Sequence, residues 1–135
     1  MTTDAYRLYT DGGARGNPGP AGTGYVIFRG NERIAAGGSY IGTATNNQAE
    51  YRAVIEGLSK AHQLGIRSLD VYMDSELIVN QLLRKFKIKD PELGKLFIKA
   101  WNLMQQFTRV TFTHVPREEN ADADQMVNQA IDNGQ

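Results

Sequence analysis

The order of hydrophobic periodicities along the chain is the feature that most restricts its fold. Apolar and polar residues alternate in three early runs, at residues 5–11, 22–29 and 33–41, and this pattern predicts three β-strands. The Gly30-Asn31 pair between the last two runs suits a hairpin turn. We therefore predict that the first third of the chain forms antiparallel strands joined by hairpins.

From about residue 45 the period becomes helical, and helices are then separated by single strands. Thr45 or Asn46 is a plausible N-cap of the first helix, and Gly65 is a plausible stop. The remaining elements are predicted in this order: a strand over 66–74, a helix over 75–84, a loop over 85–90, a helix over 91–106, a strand over 109–115 and a helix over 120–132. Hairpins followed by helical crossovers predict one α/β domain over residues 1–135, with a mixed sheet and helices packed on it.

The segment YTDGGARGNPGPAG, residues 9–22, concentrates glycine and proline around one acidic residue, Asp11. A phosphate-binding P-loop would need Lys followed by Ser or Thr after its last glycine, and a dinucleotide fingerprint would need a helix there. A β-type run follows instead. The segment is therefore predicted as strand, tight turn and strand, with the Asp11 carboxylate at the end of the first strand.

Charge is unevenly distributed, although the formal net charge is zero. Six basic residues and two acids lie between Arg84 and Lys99, whereas five acids and no base lie between Glu118 and Asp132. This segregation favours a surface for a polyanion beside a cation site, while two solvated helix faces remain the simpler alternative. The chain has no cysteine, which suits a reducing, cytoplasmic compartment, and no apolar run that predicts a leader or a membrane span.

Together with Asp11, three further carboxylates are predicted to point inward or toward one edge of the sheet. At about 100° per residue, Glu50 lies on the same arc as the apolar residues of its helix, listed here as Ala53, Val54, Gly57, Leu58, Ala61 and Leu64. Asp74 ends a strand at the edge where open α/β sheets bind ligands, although a helix N-cap would explain it equally well. Asp124 borders the apolar arc of the last helix.

Carboxylates that converge in this way repel one another unless a cation lies among them. Oxygen ligands without His or Cys favour hard ions, so we expect Mg²⁺ or Mn²⁺ rather than Zn²⁺. Two such ions can support the displacement of a phosphoryl group. The residues by themselves thus indicate a magnesium carboxylate site beside a basic surface.

Four segments resemble, in order, the signature segments of type 1 ribonuclease H, and they are YTDGGARGNPGPAG, TNNQAEYRAVIEGL, VYMDSELIVNQL and HVPREENADAD. The resemblance covers nearly the whole chain. It implies a five-stranded mixed sheet with helices on both faces, and a monomer without a membrane partner. It also implies cleavage of the RNA strand of RNA/DNA hybrids with two Mg²⁺ ions, which leaves 5′-phosphate and 3′-hydroxyl ends.

The resemblance assigns catalytic and metal-binding roles to Asp11, Glu50, Asp74 and Asp124. Asp11 would bridge both ions, and Asp74 would also be a ligand. Glu50 would hold one ion and accept from a ribose 2′-hydroxyl, and Asp124 would complete the coordination shell of the other ion. The implied substrate contacts are Gly12, Asn17, Thr45, Asn46, Asn47, Glu76, Lys85, Lys87 and Lys89. Thr45 matches a residue that holds a DNA phosphate, and Asn17, Asn47 and Glu76 would reach the RNA minor groove.

Three features depart from the family pattern. The segment RKFKIKDPELG is too short for the full basic protrusion of many members, and Asp90 stands where relatives often have an Asn that touches a DNA phosphate. The Gly-His loop before the last helix is missing, and His114 is expected to be a semi-buried structural residue of the strand. The alternatives left open are a silent or weak hybrid-binding module and a DNA-cutting nuclease of the same fold.

Overall fold

The computed structural model describes residues 5–134, which form one mixed sheet with helices on both of its faces. In chain order the elements are β1 (Tyr6–Ala14), β2 (Gly19–Arg29), β3 (Glu32–Gly37), β4 (Tyr40–Ala44), α1 (Asn46–Gln63), β5 (Ser68–Met73), α2 (Glu76–Leu82), α3 (Pro91–Met104), β6 (Arg109–His114), a 3₁₀ turn (Arg117–Asn120) and α4 (Ala121–Gly134). Among these residues no helix combines the length and apolarity that a membrane crossing needs.

The strand order is β3-β2-β1-β5-β6, and β4 also pairs with β2. The pairs that involve β2 are antiparallel, whereas β1 with β5 and β5 with β6 are parallel. The predicted α/β class, with antiparallel strands first and parallel strands after them, is confirmed. The sheet places β1 at its centre, so a side chain on β1 lies close to elements from both halves of the chain.

The predicted third strand, residues 33–41, is two strands in the structure, so the sheet has six strands rather than five. The strand is interrupted at Gly38 and Ser39. Here Thr23 N donates to Ser39 O, and Ser39 N donates to the Thr23 hydroxyl, both at 2.9 Å. The two segments then pair with different parts of β2. An alternating pattern is the same on both sides of such a break, so periodicity did not show it.

The first strand is also longer than predicted, because β1 continues through Gly12 and Gly13 to Ala14. Each of these residues pairs with β2, from Asp11 opposite Gly24 to Ala14 opposite Ala21. The prediction that Asp11 ends this strand is therefore wrong. The glycines extend the strand, and the turn follows them.

Helix α1 begins and ends at the predicted signals. Thr45 is its N-cap in a reciprocal capping box with Gln48, and Leu64 ends it just before Gly65, which has a φ of 81°. Of the predicted buried arc, Leu64 is the exception, since this C-cap residue is 45% exposed. Ala53 and Gly57 are buried, and Val54, Leu58 and Ala61 belong to the main core, which also includes Leu8, Val71 and Phe112.

Candidate active site

Three carboxylates from three different elements meet beside the centre of the sheet. One oxygen from each of Asp11, Glu50 and Asp74 lies within 4.8 Å of the others. They line a cleft of about 390 Å³ whose other lining residues are Gly12, Gly13, Ala14, Arg15, Asn46, Arg117, Asp124, Val127, Asn128 and Ile131. The structure thus brings all four predicted acids to one cleft, with three of them in the closest cluster.

Asp11 and Glu50 approach each other because the residue that follows Asp11 in β1 is a glycine, Gly12. A Cβ atom on Gly12 would lie 2.2 Å from the main-chain carbon and oxygen of Ala49, so only glycine permits α1 to begin this close to β1. Gly12 N also donates to Glu50 Oε1 at 3.3 Å. The glycine therefore places the Glu50 carboxylate against the strand.

Asp74 lies directly after β5, in the single bend before α2. The N-cap of α2 is Ser75, whose hydroxyl accepts from Ile78 N at 3.3 Å. This excludes the N-cap explanation for Asp74. Its carboxylate is free of a capping role and turns toward Asp11 and Glu50.

Asp124 lies on the first turn of α4, on the other side of the cleft. Its Oδ1 is 3.8 Å from Arg117 Nη2, and its Oδ2 accepts from Asn128 Nδ2 at 3.5 Å. The predicted apolar arc beside it is buried, with Ala123, Val127 and Ile131 all at most 4% exposed. Asp124 therefore faces the cleft from a helix whose position is determined by this packing.

A buried asparagine ties α4 to the strand that carries Asp11. Asn120, 1% exposed, donates from Nδ2 to Thr10 O at 2.9 Å. Thr10 directly precedes Asp11, so this bond connects the start of α4 to the site over 110 residues of sequence. It contributes to holding Asp124 opposite Asp11.

The electrostatics of the cluster favour a bound cation. Burial, followed by the charge of Asp74, raises the pKa of Asp11 to about 7. Burial and the charge of Asp11 likewise raise the pKa of Glu50. Glu50 Oε2 has no hydrogen-bond partner among the described residues although it is buried. A cation among these oxygens would compensate both the burial and the mutual repulsion.

The loop after β1 is fastened to the start of α1 by asparagines. Ala14 N donates to Asn46 Oδ1 at 2.8 Å, and Asn46 N donates to Asn17 Oδ1 at 3.1 Å. Thr45 caps the same helix through its hydroxyl oxygen, which accepts from Gln48 N at 3.1 Å. These three predicted contact residues therefore form one ridge at the rim of the acidic cleft.

Of the other predicted substrate residues, Gly12 lines the acidic cleft, whereas Asn47, Glu76 and the three lysines do not. Asn47 is half-buried in α1, and Glu76 is exposed at the start of α2. Lys85, Lys87 and Lys89 are all exposed in the segment between α2 and α3. Their assignment as substrate contacts stays a prediction.

Two further residues have positions that differ from, or add to, what the sequence predicted. His114 is exposed at the end of β6, so its expected semi-buried position is wrong. The alternation of β6 places it on the core face, but the core does not extend to the end of that strand. Asp90 is the N-cap of α3, and its carboxylate accepts from Glu92 N at 2.8 Å.

Sequence reasoning missed three polar residues of the cleft, namely Arg15, Arg117 and Asn128. Arg15 pairs with Asp132 at 2.7 Å, and Arg117 faces Asp124. The available signal was the position of Arg117 immediately before the acidic run of residues 118–132. A single basic residue just before an acidic helix indicates an ion pair with one of the acids, which here is Asp124.

Comparison with known proteins identifies the family. The pattern of the family described as reverse transcriptase-like matches residues 9–130. A bifunctional protein of Mycobacterium tuberculosis is 46% identical over 127 residues, which are 93% of this chain and 35% of that protein. The ribonuclease HI of Halobacterium salinarum is 43% identical over 92% of this chain and 63% of its own length. The chain thus spans about a third of the mycobacterial relative and less than two thirds of the archaeal one.

Two solved structures share the fold over nearly their entire length. RNase H1 of Halobacterium salinarum superposes with a TM-score of 0.92 at 41% identity, covering 96% of this chain and 98% of that one. LC11-RNase H1, isolated from compost by a metagenomic approach, gives 0.91 at 44% identity with the same coverage, and its structure contains an RNA/DNA hybrid.

A mixed sheet of this order, with an acidic cleft beside its central strand, defines the class of ribonuclease H-like proteins. The chain belongs to the type 1 ribonuclease H family. The expectations of a monomer and of a cytoplasmic location stay predictions.

Proposed function

We propose that this protein is a metal-dependent endonuclease that hydrolyses the RNA strand of RNA/DNA hybrids and leaves 5′-phosphate and 3′-hydroxyl ends. The observation that carries the proposal is the convergence of Asp11, Glu50 and Asp74 within 4.8 Å in a chain of this family. The hybrid in the structure of LC11-RNase H1 supports the choice of substrate.

The acidic cluster fits divalent metal ions. All its donors are carboxylate oxygens, which suit Mg²⁺ and also Mn²⁺, and the buried Glu50 Oε2 lacks a protein partner. Asp11, Glu50, Asp74 and Asp124 would hold two ions when substrate is bound. Such ions supply a nucleophilic water and stabilise the leaving oxygen of an in-line phosphoryl displacement.

The protein contributes the placement of these acids. Gly12 N holds Glu50 by a 3.3 Å hydrogen bond, and Asn120 holds the strand next to Asp11. Arg117, 81% exposed and facing Asp124, adds a positive charge at the open side of the cleft. A scissile phosphate in this cleft would meet carboxylates held in place by hydrogen bonds and the exposed guanidinium group of Arg117.

The ridge of Asn17, Thr45 and Asn46 is suited to hold the substrate beside the acids. Short amide side chains at the rim can reach 2′-hydroxyl groups, which distinguish RNA from DNA. The Nδ2 group of Asn46 is free to donate, because its hydrogen bond to Ala14 uses only the oxygen. The exposed Lys85, Lys87 and Lys89 would supply phosphate contacts further along the hybrid.

One cleavage experiment tests the proposal. RNA, DNA and RNA/DNA hybrid strands, each labelled in turn, are incubated with the protein in Mg²⁺, in Mn²⁺ and in chelator. We expect cleavage of the RNA strand of the hybrid alone, in either metal, with 5′-phosphate ends on the fragments. Binding without cutting would identify a silent hybrid-binding module, and cutting of duplex DNA would identify a different nuclease.

A further inference from the structure

Arg84 has a backbone conformation that arginine seldom adopts. It directly follows Leu83, the C-cap of α2, and its φ of 63° is the only positive φ of a non-glycine residue among residues 5–134. The other positive φ angles in this part of the chain belong to Gly16, Gly30, Gly42 and Gly65. An L side chain is strained in this conformation, whereas glycine is not. A side chain that is kept at such a position indicates a function for that side chain.

The hydrogen bonds at the end of α2 account for the backbone of Arg84 but not for its side chain. Arg84 N donates to Gln81 O at 3.0 Å. Lys85 N donates to Asn80 O at 2.8 Å. Together these bonds form a Schellman motif, in which glycine is the usual residue at the position of Arg84. Glycine would therefore preserve this end of the helix, and only the arginine side chain would be lost.

That side chain lies over an aromatic ring of α3. The Cζ atom of Arg84 is 5.5 Å from the centroid of the half-buried Trp101 ring, which is within the range of a cation–π contact. Trp101 in turn stacks with Phe97, whose ring packs against the main core. Among residues 5–134 the guanidinium group forms no ion pair. Its contact with Trp101 thus ties the end of α2 to α3.

Arg84 also begins the segment that presents three exposed lysines. Lys85, Lys87 and Lys89 follow it at once, and Ile88 fastens the far part of the segment to the core. The contact with Trp101 fastens the near part. A binding segment that is already ordered loses less conformational entropy when it binds, and its affinity is higher for that reason.

We propose that Arg84 is a positioning residue for substrate binding. Its contact with Trp101 holds Lys85, Lys87 and Lys89 in the arrangement that meets the phosphates of a nucleic-acid backbone. This inference rests on the proposed function. Arg84 acts through the lysines and contacts no phosphate itself, which gives a reason for an arginine where the turn alone favours glycine.

The first test breaks the contact from either side, in a chain that also carries Asp11→Asn so that hybrid is not cut. Arg84→Gly removes the cation, whereas Trp101→Leu removes the ring and keeps the charge. We expect each variant to bind hybrid about two- to fivefold more weakly, which is the affinity ratio that an exposed cation–π contact corresponds to. The log–log slope of affinity against salt should stay unchanged, because no phosphate contact is lost. The control is Arg29→Gln, which removes an exposed arginine at the end of β2 and should bind as the parent does.

The second test asks whether the contact acts through the lysines. The effects of Arg84→Gly and Trp101→Leu on affinity should not add, since both break the same contact. In a chain with Lys85, Lys87 and Lys89 replaced by Ala, Arg84→Gly should have no further effect on affinity. Amide hydrogen exchange in the lysine segment should be faster in both variants than in the parent.

Three results would overturn the inference. A salt slope that falls by about one unit in Arg84→Gly alone would make Arg84 a phosphate ligand. Unchanged affinity in both variants would leave the contact with Trp101 at most a structural role. An effect of Arg84→Gly that persists without the lysines would place its action elsewhere. Cleavage by the chain with Asp11 intact is measured separately, so a parent that binds hybrid without cutting it contradicts the proposed function and not this inference.

Discussion

Asp11 combines burial, with 7% of its surface exposed, and two acidic neighbours in the same cluster. We predict that Asp11→Asn abolishes cleavage but leaves hybrid affinity within about threefold of the parent, because affinity comes largely from phosphate contacts. Single-turnover cleavage in Mg²⁺ and binding in Ca²⁺ measure the two effects separately.

The matched control for this variant is Glu32→Gln, which removes one carboxylate from the exposed start of β3. It is expected to cut hybrid at the parental rate. If Asp11→Asn lost binding and cleavage to the same extent, Asp11 would be a structural or substrate-binding residue rather than a metal ligand.

His114 illustrates how burial changes an expectation at the residue scale. Because it is exposed at the end of β6, we predict that His114→Ala changes the free energy of unfolding by no more than about 0.5 kcal/mol. We also predict that kcat falls by less than about tenfold. Chemical denaturation and the pH–rate profile check this, and a 100-fold loss of kcat with an intact fold would make His114 a general acid or base.

At the scale of elements, the segment between α2 and α3 carries its lysines on an anchored backbone. Gln81 accepts from the buried Tyr51 hydroxyl at 2.7 Å and donates to Lys87 O at 3.5 Å, and Ile88 packs against the core. The lysine side chains remain exposed. The short segment therefore has a defined position from which it can present charge to a hybrid.

We predict that replacing Lys85, Lys87 and Lys89 by Ala lowers the salt dependence of hybrid binding by up to about three log–log units. KM is expected to rise while kcat stays nearly constant, because these contacts are equally present in the ground state and the transition state. Steady-state kinetics over a range of salt concentrations measure both. An unchanged salt slope would mean that the segment is only a solvated connection.

At the start of α3, Asp90 has an observed structural role and a predicted effect on substrate binding. Asp90 caps this helix by accepting from Glu92 N, and Asn caps helices as well as Asp does. We predict that Asp90→Asn leaves stability nearly unchanged and tightens hybrid binding, because the resemblance places a DNA phosphate beside this position and the substitution would remove a carboxylate that repels it.

Asp90→Ala is the companion variant, since it removes the charge and the cap together. We expect it to lose about 1 kcal/mol of folding free energy, as measured by urea denaturation. If Asp90→Asn bound hybrid more weakly than the parent, then Asp90 would not face a phosphate and its role would be the cap alone.

At the scale of the whole molecule, folding forces the acids together at the expense of stability. Folding raises the pKa of Asp11 from 3.8, its ordinary value, to about 7. Between these two pH values the folded state therefore binds more protons than the unfolded state. The free energy of unfolding therefore falls as pH rises from about 4 to 7, because the buried Asp11 carboxylate becomes charged. Protonation of Asp11 removes this destabilisation when the pH is lowered again.

We predict that, in chelator, Asp11→Asn is more stable than the parent at pH 7, by on the order of 2–4 kcal/mol. The difference should shrink steadily as pH falls from 7 to 4. Urea denaturation at several pH values measures it, with Glu32→Gln as the control that lacks this trend. A parent that is the more stable of the two at pH 7 would show that the cluster is not repulsive.

Mg²⁺ is expected to reverse this ranking, since an ion that binds only the folded state stabilises it. Titration of the metal at pH 7 should raise the Tm of the parent and leave that of Asp11→Asn almost unchanged. The two measurements together separate the repulsion of the acids from their affinity for metal.

Much of the architecture was determined by the sequence alone, because its signals act over a few residues. The change from period 2 to period 3.6, the Thr45 cap and the Gly65 stop depend on neighbours within about one helical turn. The inward position of Glu50 follows from the same helical arc. Strand and helix positions singled out the four acids, the resemblance of four short motifs assigned them metal-binding roles, and the structure then placed all four around one cleft.

The tertiary structure decided what depends on residues far apart in the chain. β1 continues past Asp11 because β2 pairs with it to Ala14, and Glu50 reaches Asp11 because Gly12 fits against Ala49. Pairing with two parts of β2 divides the predicted third strand. These contacts depend on close approach between distant segments, and a local pattern of apolar and polar residues carries no information about that approach.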